Sequence, residues 1–359
     1  MTGPMYPGWG PEARRGLWSV LGCACLSFLT CDAPAQRSSF NNREVVPPDG
    51  TGHYRILIGG HFHGTSNNRS GYPAATLLAN LDTINALAAN VFVCTGDLFM
   101  DPVNDRPRYV RALFSKLNMP LFNAPGNHDA PAVEDPRTTL LDIPFNVGDS
   151  GATRSDRVLI LDTEQDNGSF TGDQLGMLEE LRDVPGLRNV FIFSHRPVWA
   201  EDDQRYDGLF KDNTRSLTGT NFRKDVYPLL EKLAEQARIY WISGSLGGGA
   251  PSSIFFQRHA PGITFIQCAI RDEPRDALLY ADVFPDKVEW SALSLTGQGL
   301  LAPEAYDADW WHAHAGKKPD TNWRLLPYLV KTTVMRKEFW WGALAGMLVL
   351  LLVRRTCRR

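Results

Sequence analysis

Leu121-Phe122-Asn123-Ala124-Pro125-Gly126-Asn127-His128-Asp129 reads as a short apolar strand that stops at a proline–glycine turn and then presents an amide, an imidazole and a carboxylate. Working outward, the same pattern of apolar run, glycine and polar residues recurs. Residues 54–58 stop at Gly59-Gly60 and are followed by His61-Phe62-His63, and residues 91–94 lead through Thr95-Gly96 to Asp97. Residues 190–193 lead to Ser194-His195-Arg196-Pro197. Open α/β sheets build ligand sites just past the carboxyl ends of their strands. In an extended chain His61 and His63 point the same way, and the glycines before Asp97 and Asn127 permit sharp turns. A carboxylate, an amide and several imidazoles converging there suit Zn²⁺, Mn²⁺ or Fe.

Helical spacing of apolar residues over 74–89, 106–117, 171–181 and 225–237 alternates with strand-like runs at 158–161 and 239–242. Pro107 falls in the first turn of the second helix, where proline is tolerated. From 253 to about 295 the chain reads as successive β segments. Strand–helix alternation followed by antiparallel β predicts mixed α/β, with packed sheets and outer helices. With 37 basic against 40 acidic residues and no basic face, no nucleic-acid-binding surface is evident.

The strand-end series resembles the calcineurin-like metallophosphoesterase superfamily, whose motifs run D-x-H, G-D, G-N-H-D/E, a lone His, then G-H-x-H. The likeness covers roughly residues 54–282. It implies a four-layer α/β/β/α sandwich and one or two divalent metal ions (Mn, Fe or Zn) about 4 Å apart when paired. Carried over, His63 binds one metal, Asp97 bridges, and Asn127 and His195 bind the second. His128 protonates the leaving group and Asp129 orients its imidazole. The chain is a divergent member. His61 stands where the first Asp belongs, as a neutral substitute ligand, and Ser245 and Gly247 replace the last histidine pair. Two readings follow: metal-dependent hydrolysis of a phosphomonoester or phosphodiester by a remodelled site, or a catalytically inactive binding domain of the same fold. Arg69 and Arg196 are candidate phosphate contacts, and the loops 65–71 and 201–220 are expected to shape the substrate.

The ends predict topology. Arg14-Arg15, an apolar stretch to Leu29 and Ala33-Pro34-Ala35 read as a signal peptide, 1–35. A lipoprotein cysteine at Cys31 and a twin-arginine route are the alternatives. A linker, 36–52, precedes the domain at 53–300, and a juxtamembrane linker, 301–338, follows it. Residues 339–353 form an uncharged apolar stretch with Trp340 and Trp341 at one end and arginines in the 354–359 tail at the other. This predicts a transmembrane helix with a basic cytoplasmic tail, in a single-pass membrane protein whose main domain is extracytoplasmic. Cys94 and Cys268 fall in strand-like runs as buried thiols or one disulfide. His259 is expected at an exposed turn, and His312 and His314 at the membrane surface.

Overall fold

The computed structural model describes residues 36–65, 67–129, 140–147, 154–210, 219–316, 326–335 and 337–356. The expected signal peptide, residues 211–218 of the second loop and the tail end with Cys357 lie outside these. Two sheets carry the fold. The first has the order β11-β10-β1-β2-β3, built from β1 Tyr54–Gly59, β2 Val91–Cys94, β3 Leu121–Asn123, β10 Ala277–Val283 and β11 Val288–Ser294. The second has the order β4-β5-β6-β7-β9-β8, built from β4 Leu141–Val147, β5 Arg154–Ile160, β6 Leu187–Ser194, β7 Arg238–Ser243, β8 Ile254–Ala260 and β9 Ile263–Cys268.

The pleat sorts the core. Ile56, Ile58, Val91 and Val93 join a cluster with residues of the second sheet, whereas Leu57, Phe92 and Cys94 pack with Leu77, Ile84, Tyr109 and Phe114 from the helical segments. Leu77, Ile84 and Tyr109 lie in α1 Ala75–Ala79, α2 Leu81–Ala86 and α3 Pro102–Ala112, and Phe114 opens a short 3-10 turn after α3. α4 Gly172–Glu180 and α5 Tyr227–Ala234 contribute Leu178, Leu230 and Leu233 to the cluster that includes the second sheet. The single helix expected over 74–89 breaks at Asn80, whose side-chain amide donates to the Thr76 and Leu295 carbonyls. α3 begins at Pro102 rather than 106 because the Asp101 carboxylate caps it, accepting from the Asn104 amide.

β1, β2 and β3 run parallel, as do β5, β6, β7 and β9. Their register puts Gly59 beside Cys94 and Cys94 beside Asn123, with Ser194 beside Ser243 in the other sheet. Every loop that follows these residues therefore leaves its sheet at the same level.

Both expected linkers differ from a free chain. In the 36–52 segment, Ser38 donates to the Leu121 carbonyl and Asn41 to that of Met119, which covers the edge beside β3. After 300, helix α6 Ala308–His314 packs on β8: Trp311 is buried and donates to the Ile254 carbonyl. Its cap is Asp307, accepting from the Trp310 amide. The packed surface thus runs to α6, and His314 bonds to the Trp310 carbonyl rather than standing free. His259 is also buried, against Tyr206 and Arg205, because it lies inside β8 rather than at a turn. Cys94 and Cys268 are separate buried thiols. Two further helices follow, α7 Leu326–Val334 and α8 Lys337–Thr356; α8 is long and apolar enough to cross a membrane, and none of it is buried.

Candidate metal centre

Three residues just past the strand ends adopt left-handed backbone: His61 after β1 (φ +54°), Asp97 after β2 (φ +55°) and Ser245 after β7 (φ +53°). Non-glycine residues rarely do so, and such conformations concentrate where packing holds a functional loop in place. His61 and His63 do not continue the strand as expected. Residues 61–64 form a turn closed by the Gly64 amide on the His61 carbonyl, and Phe62 between them is buried in the helix-facing core. The turn nevertheless brings both imidazoles to the same carboxylate.

That carboxylate is Asp97. Its Oδ2 lies 3.2 Å from His61 Nε2, 3.7 Å from His63 Nε2 and 3.6 Å from His195 Nε2. Its Oδ1 accepts the His128 backbone amide at 3.1 Å. Burial opposes the charge on Asp97, but His195 and the contacts from His61 and His63 outweigh it and hold the carboxyl well below its ordinary range. Burial drives the His61 pKa down to about 3, overriding the attraction of Asp97. An ionised carboxylate and a neutral imidazole are the forms that coordinate metal.

Close approach explains two glycines. A Cβ on Gly126 would overlap the backbone nitrogen and Oδ1 of Asp97, and one on Gly96 would overlap His195 Nδ1. With its bare backbone, Gly96 (φ +97°) lets the imidazole approach the loop closely.

The nitrogens themselves test whether a metal fits. His61 Nδ1, both ring nitrogens of His63 and His195 Nε2 are buried and lack hydrogen-bond partners. Buried polar atoms are almost always satisfied, and two of these four, His63 Nε2 and His195 Nε2, face the Asp97 carboxylate, a donor set that suits a divalent cation. His61, His63 and Asp97 each offer a ligand atom within 4.8 Å of the others. His195 Nδ1 donates to the Thr95 carbonyl at 2.9 Å, which leaves the Nε2 lone pair facing Asp97. These donors fit one divalent ion. Ser245 and Gly247 offer no imidazole on the loop after β7, and Asn127 is half-buried.

His128 is half-buried in the turn of residues 127–129, its ring 5.2 Å from that of His63. The Asp129 carboxylate is not on that imidazole as expected. It accepts from the amides of Leu98, Phe99 and Gly126 and from the Asn123 side chain, between 3.0 and 3.3 Å. Asp129 therefore braces the Asp97 loop against the His128 turn. Thr95 and Asn123 are supports that sequence reading missed, since both look like ordinary strand-end residues. Arg196 is committed to an ion pair with Glu164, Nε to Oε1 at 2.6 Å.

The family model for calcineurin-like phosphoesterases matches residues 54–242, just over half of the chain, and ends immediately before the segment that lacks the histidine pair. Among solved structures, a dimetal phosphatase from Danio rerio is similar at 14% identity over 67% of this chain and 96% of its own, with TM-score 0.44. Zinc-complexed Vps29 from Entamoeba histolytica is similar at 11% identity over 67% of this chain and 99% of its own, with TM-score 0.27. Among curated proteins no significant match is found.

Proposed function

Because the chain belongs to the calcineurin-like phosphoesterase family, we propose that it hydrolyses a phosphomonoester or phosphodiester using a divalent metal ion (Mn, Fe or Zn) held by His61, His63 and Asp97, with Asn127 and His195 beside it. The observation that carries this reading is the convergence of three imidazole nitrogens on the one Asp97 oxygen. The domain is taken as the family's four-layer sandwich, a reading supported by the two core clusters. A divalent cation bound there supplies Lewis-acid charge to a phosphoryl oxygen.

The chain's own residues do the rest. Asp97 stays ionised, His61 stays neutral, and the Thr95 carbonyl fixes the His195 tautomer. His128, half-exposed beside the ligands, delivers a proton to the leaving oxygen. Asp129 positions His128 through the turn that it braces. Helix α8 anchors the chain as a single span with the domain extracytoplasmic, a reading supported by the helix's exposed apolar face and the arginines that follow it.

Ser245 and Gly247 favour a second reading, a binding domain without turnover. The test is hydrolysis of aryl phosphomonoesters and diesters by metal-stripped full-length protein with Mn²⁺, Fe²⁺ or Zn²⁺ restored, and Asn127→Ala and His195→Ala as controls. Metal-dependent turnover lost in both variants supports the hydrolase. No turnover above the variants with any metal favours the binding domain.

A further inference from the structure

The loop that lacks the histidine pair is gripped by arginines. Arg271, just past β9, donates from Nη1 to the Leu246 carbonyl at 3.0 Å, and Arg275 donates from Nη2 to the Gly247 carbonyl at 3.0 Å. Arg275 is fully engaged, with further bonds to Glu273 and the Ser252 carbonyl. Arg271 is not. Its Nε is buried and has no hydrogen-bond partner among the described residues. A Cβ on Gly248 would sit 3.9 Å from that nitrogen.

The Arg271 backbone is also fixed beside the site. Its amide donates to Asp276 Oδ1 at 2.9 Å, and the amide of Ile270 donates to the Gly60 carbonyl, one residue before His61. Burial holds the guanidinium below its ordinary pKa, opposed most by the charge of Glu273 and less by those of Asp97 and Asp276. Sequence reading nominated Arg69 and Arg196 for phosphate and passed over Arg271, which lies outside every motif.

We propose that Arg271 binds a phosphoryl oxygen of the substrate, supplying from the last-motif corner the positive charge that a fully liganded second metal ion would otherwise bring. A guanidinium is always charged, and its fork of donors matches phosphate oxygens. Its anchored backbone and its bond to the Leu246 carbonyl preorganise the free Nε, so little side-chain entropy is lost on binding. This inference rests on the phosphoester reading above.

The test uses full-length protein with inorganic phosphate as the probe, followed by calorimetry, and Mn²⁺ binding followed by electron paramagnetic resonance. Arg271→Gln is expected to bind Mn²⁺ as wild type does and phosphate about tenfold more weakly, the size of a lost charge-assisted hydrogen bond. Arg271→Lys keeps the charge without the fork and is expected to fall between the two. Wild-type phosphate affinity in a folded Arg271→Gln overturns the inference. If that variant does not fold, wild-type phosphate affinity in Arg271→Lys overturns it instead. Absence of phosphate binding by wild-type protein does so as well. Phosphate held through Arg271 without any phosphoester turnover supports the contact and counts against the hydrolase, so the two failures separate.

Discussion

His195 Nδ1 meets the Thr95 carbonyl oxygen at 2.9 Å, so a ring at the end of β6 in one sheet is bonded to the end of β2 in the other. The contact ties the two sheets together at the edge where His61, His63 and Asp97 emerge, and it aims Nε2 at Asp97. His195→Ala removes both functions. Mn²⁺ affinity is expected to fall about tenfold or more. The Thr95 carbonyl, left without its donor, is expected to cost about 1–3 kcal/mol of stability. Metal titration and denaturant unfolding of the same preparation read the two effects.

Gly126 is a packing prediction. The methyl of Gly126→Ala has no room against Asp97, so the turn that carries Asn127 and His128 must shift. Overpacking of this kind costs about 1–3 kcal/mol. Thermal unfolding is expected to drop and Mn²⁺ binding to weaken with it. An unchanged unfolding temperature would mean that the turn is looser than its contacts indicate.

Asp276 gives a pH signature away from the ligands. It is buried, receives the Arg271 amide and the Thr76 hydroxyl, and burial raises its pKa to about 7, with Asp272 adding to the shift and Arg275 opposing it. A group whose pKa is higher in the fold than in the unfolded chain stabilises at low pH. That contribution is full below the ordinary value of 3.8 and is lost as pH rises through about 7. The stability advantage of wild type over Asp276→Asn is therefore expected to shrink between pH 5 and pH 8. Thermal unfolding of both proteins across that range checks it, and a difference independent of pH would contradict it.

Helix α8 exposes Trp340, Trp341, Met347 and Leu350, an apolar patch of the kind that marks a membrane or partner contact. Full-length protein is expected to remain in the membrane pellet after alkaline carbonate extraction, and protein truncated before Lys337 to be released. Extraction of the full-length chain would contradict the span.

β1, β2, β3 and β7 and the polar residues after them were legible because each couples an apolar run to a glycine turn, a strictly local signal. β4 was not, although Ile143, Phe145 and Val147 alternate inward: Pro144 interrupts the run, and proline is tolerated there only because β4 is an edge strand. The packing of Trp311 on β8 was hidden for a different reason. Trp311 lies in a tryptophan pair that resembles an interfacial belt in sequence, while its partner Ile254 is 57 residues away. At the site, the candidate imidazoles and carboxylates could be read from motifs, whereas the bracing by Asp129 and the grip of Arg271 on the loop after β7 depend on contacts between distant loops. The turn at residues 61–64 shows the same limit, since period-two reasoning expected an extended backbone where the chain turns.

Coupling of metal occupancy to turnover is the most direct measurement. Metal-stripped full-length protein is titrated with Mn²⁺ while bound ions are counted and aryl phosphoester hydrolysis is followed, alongside Asp97→Ala. Turnover is expected to rise with occupancy of the Asp97 site and saturate with it, and both are expected to be lost in the variant. A protein that fills the site without hydrolysing either ester, or hydrolyses equally well with Asp97 removed, would contradict a metal-dependent phosphoesterase built on these residues.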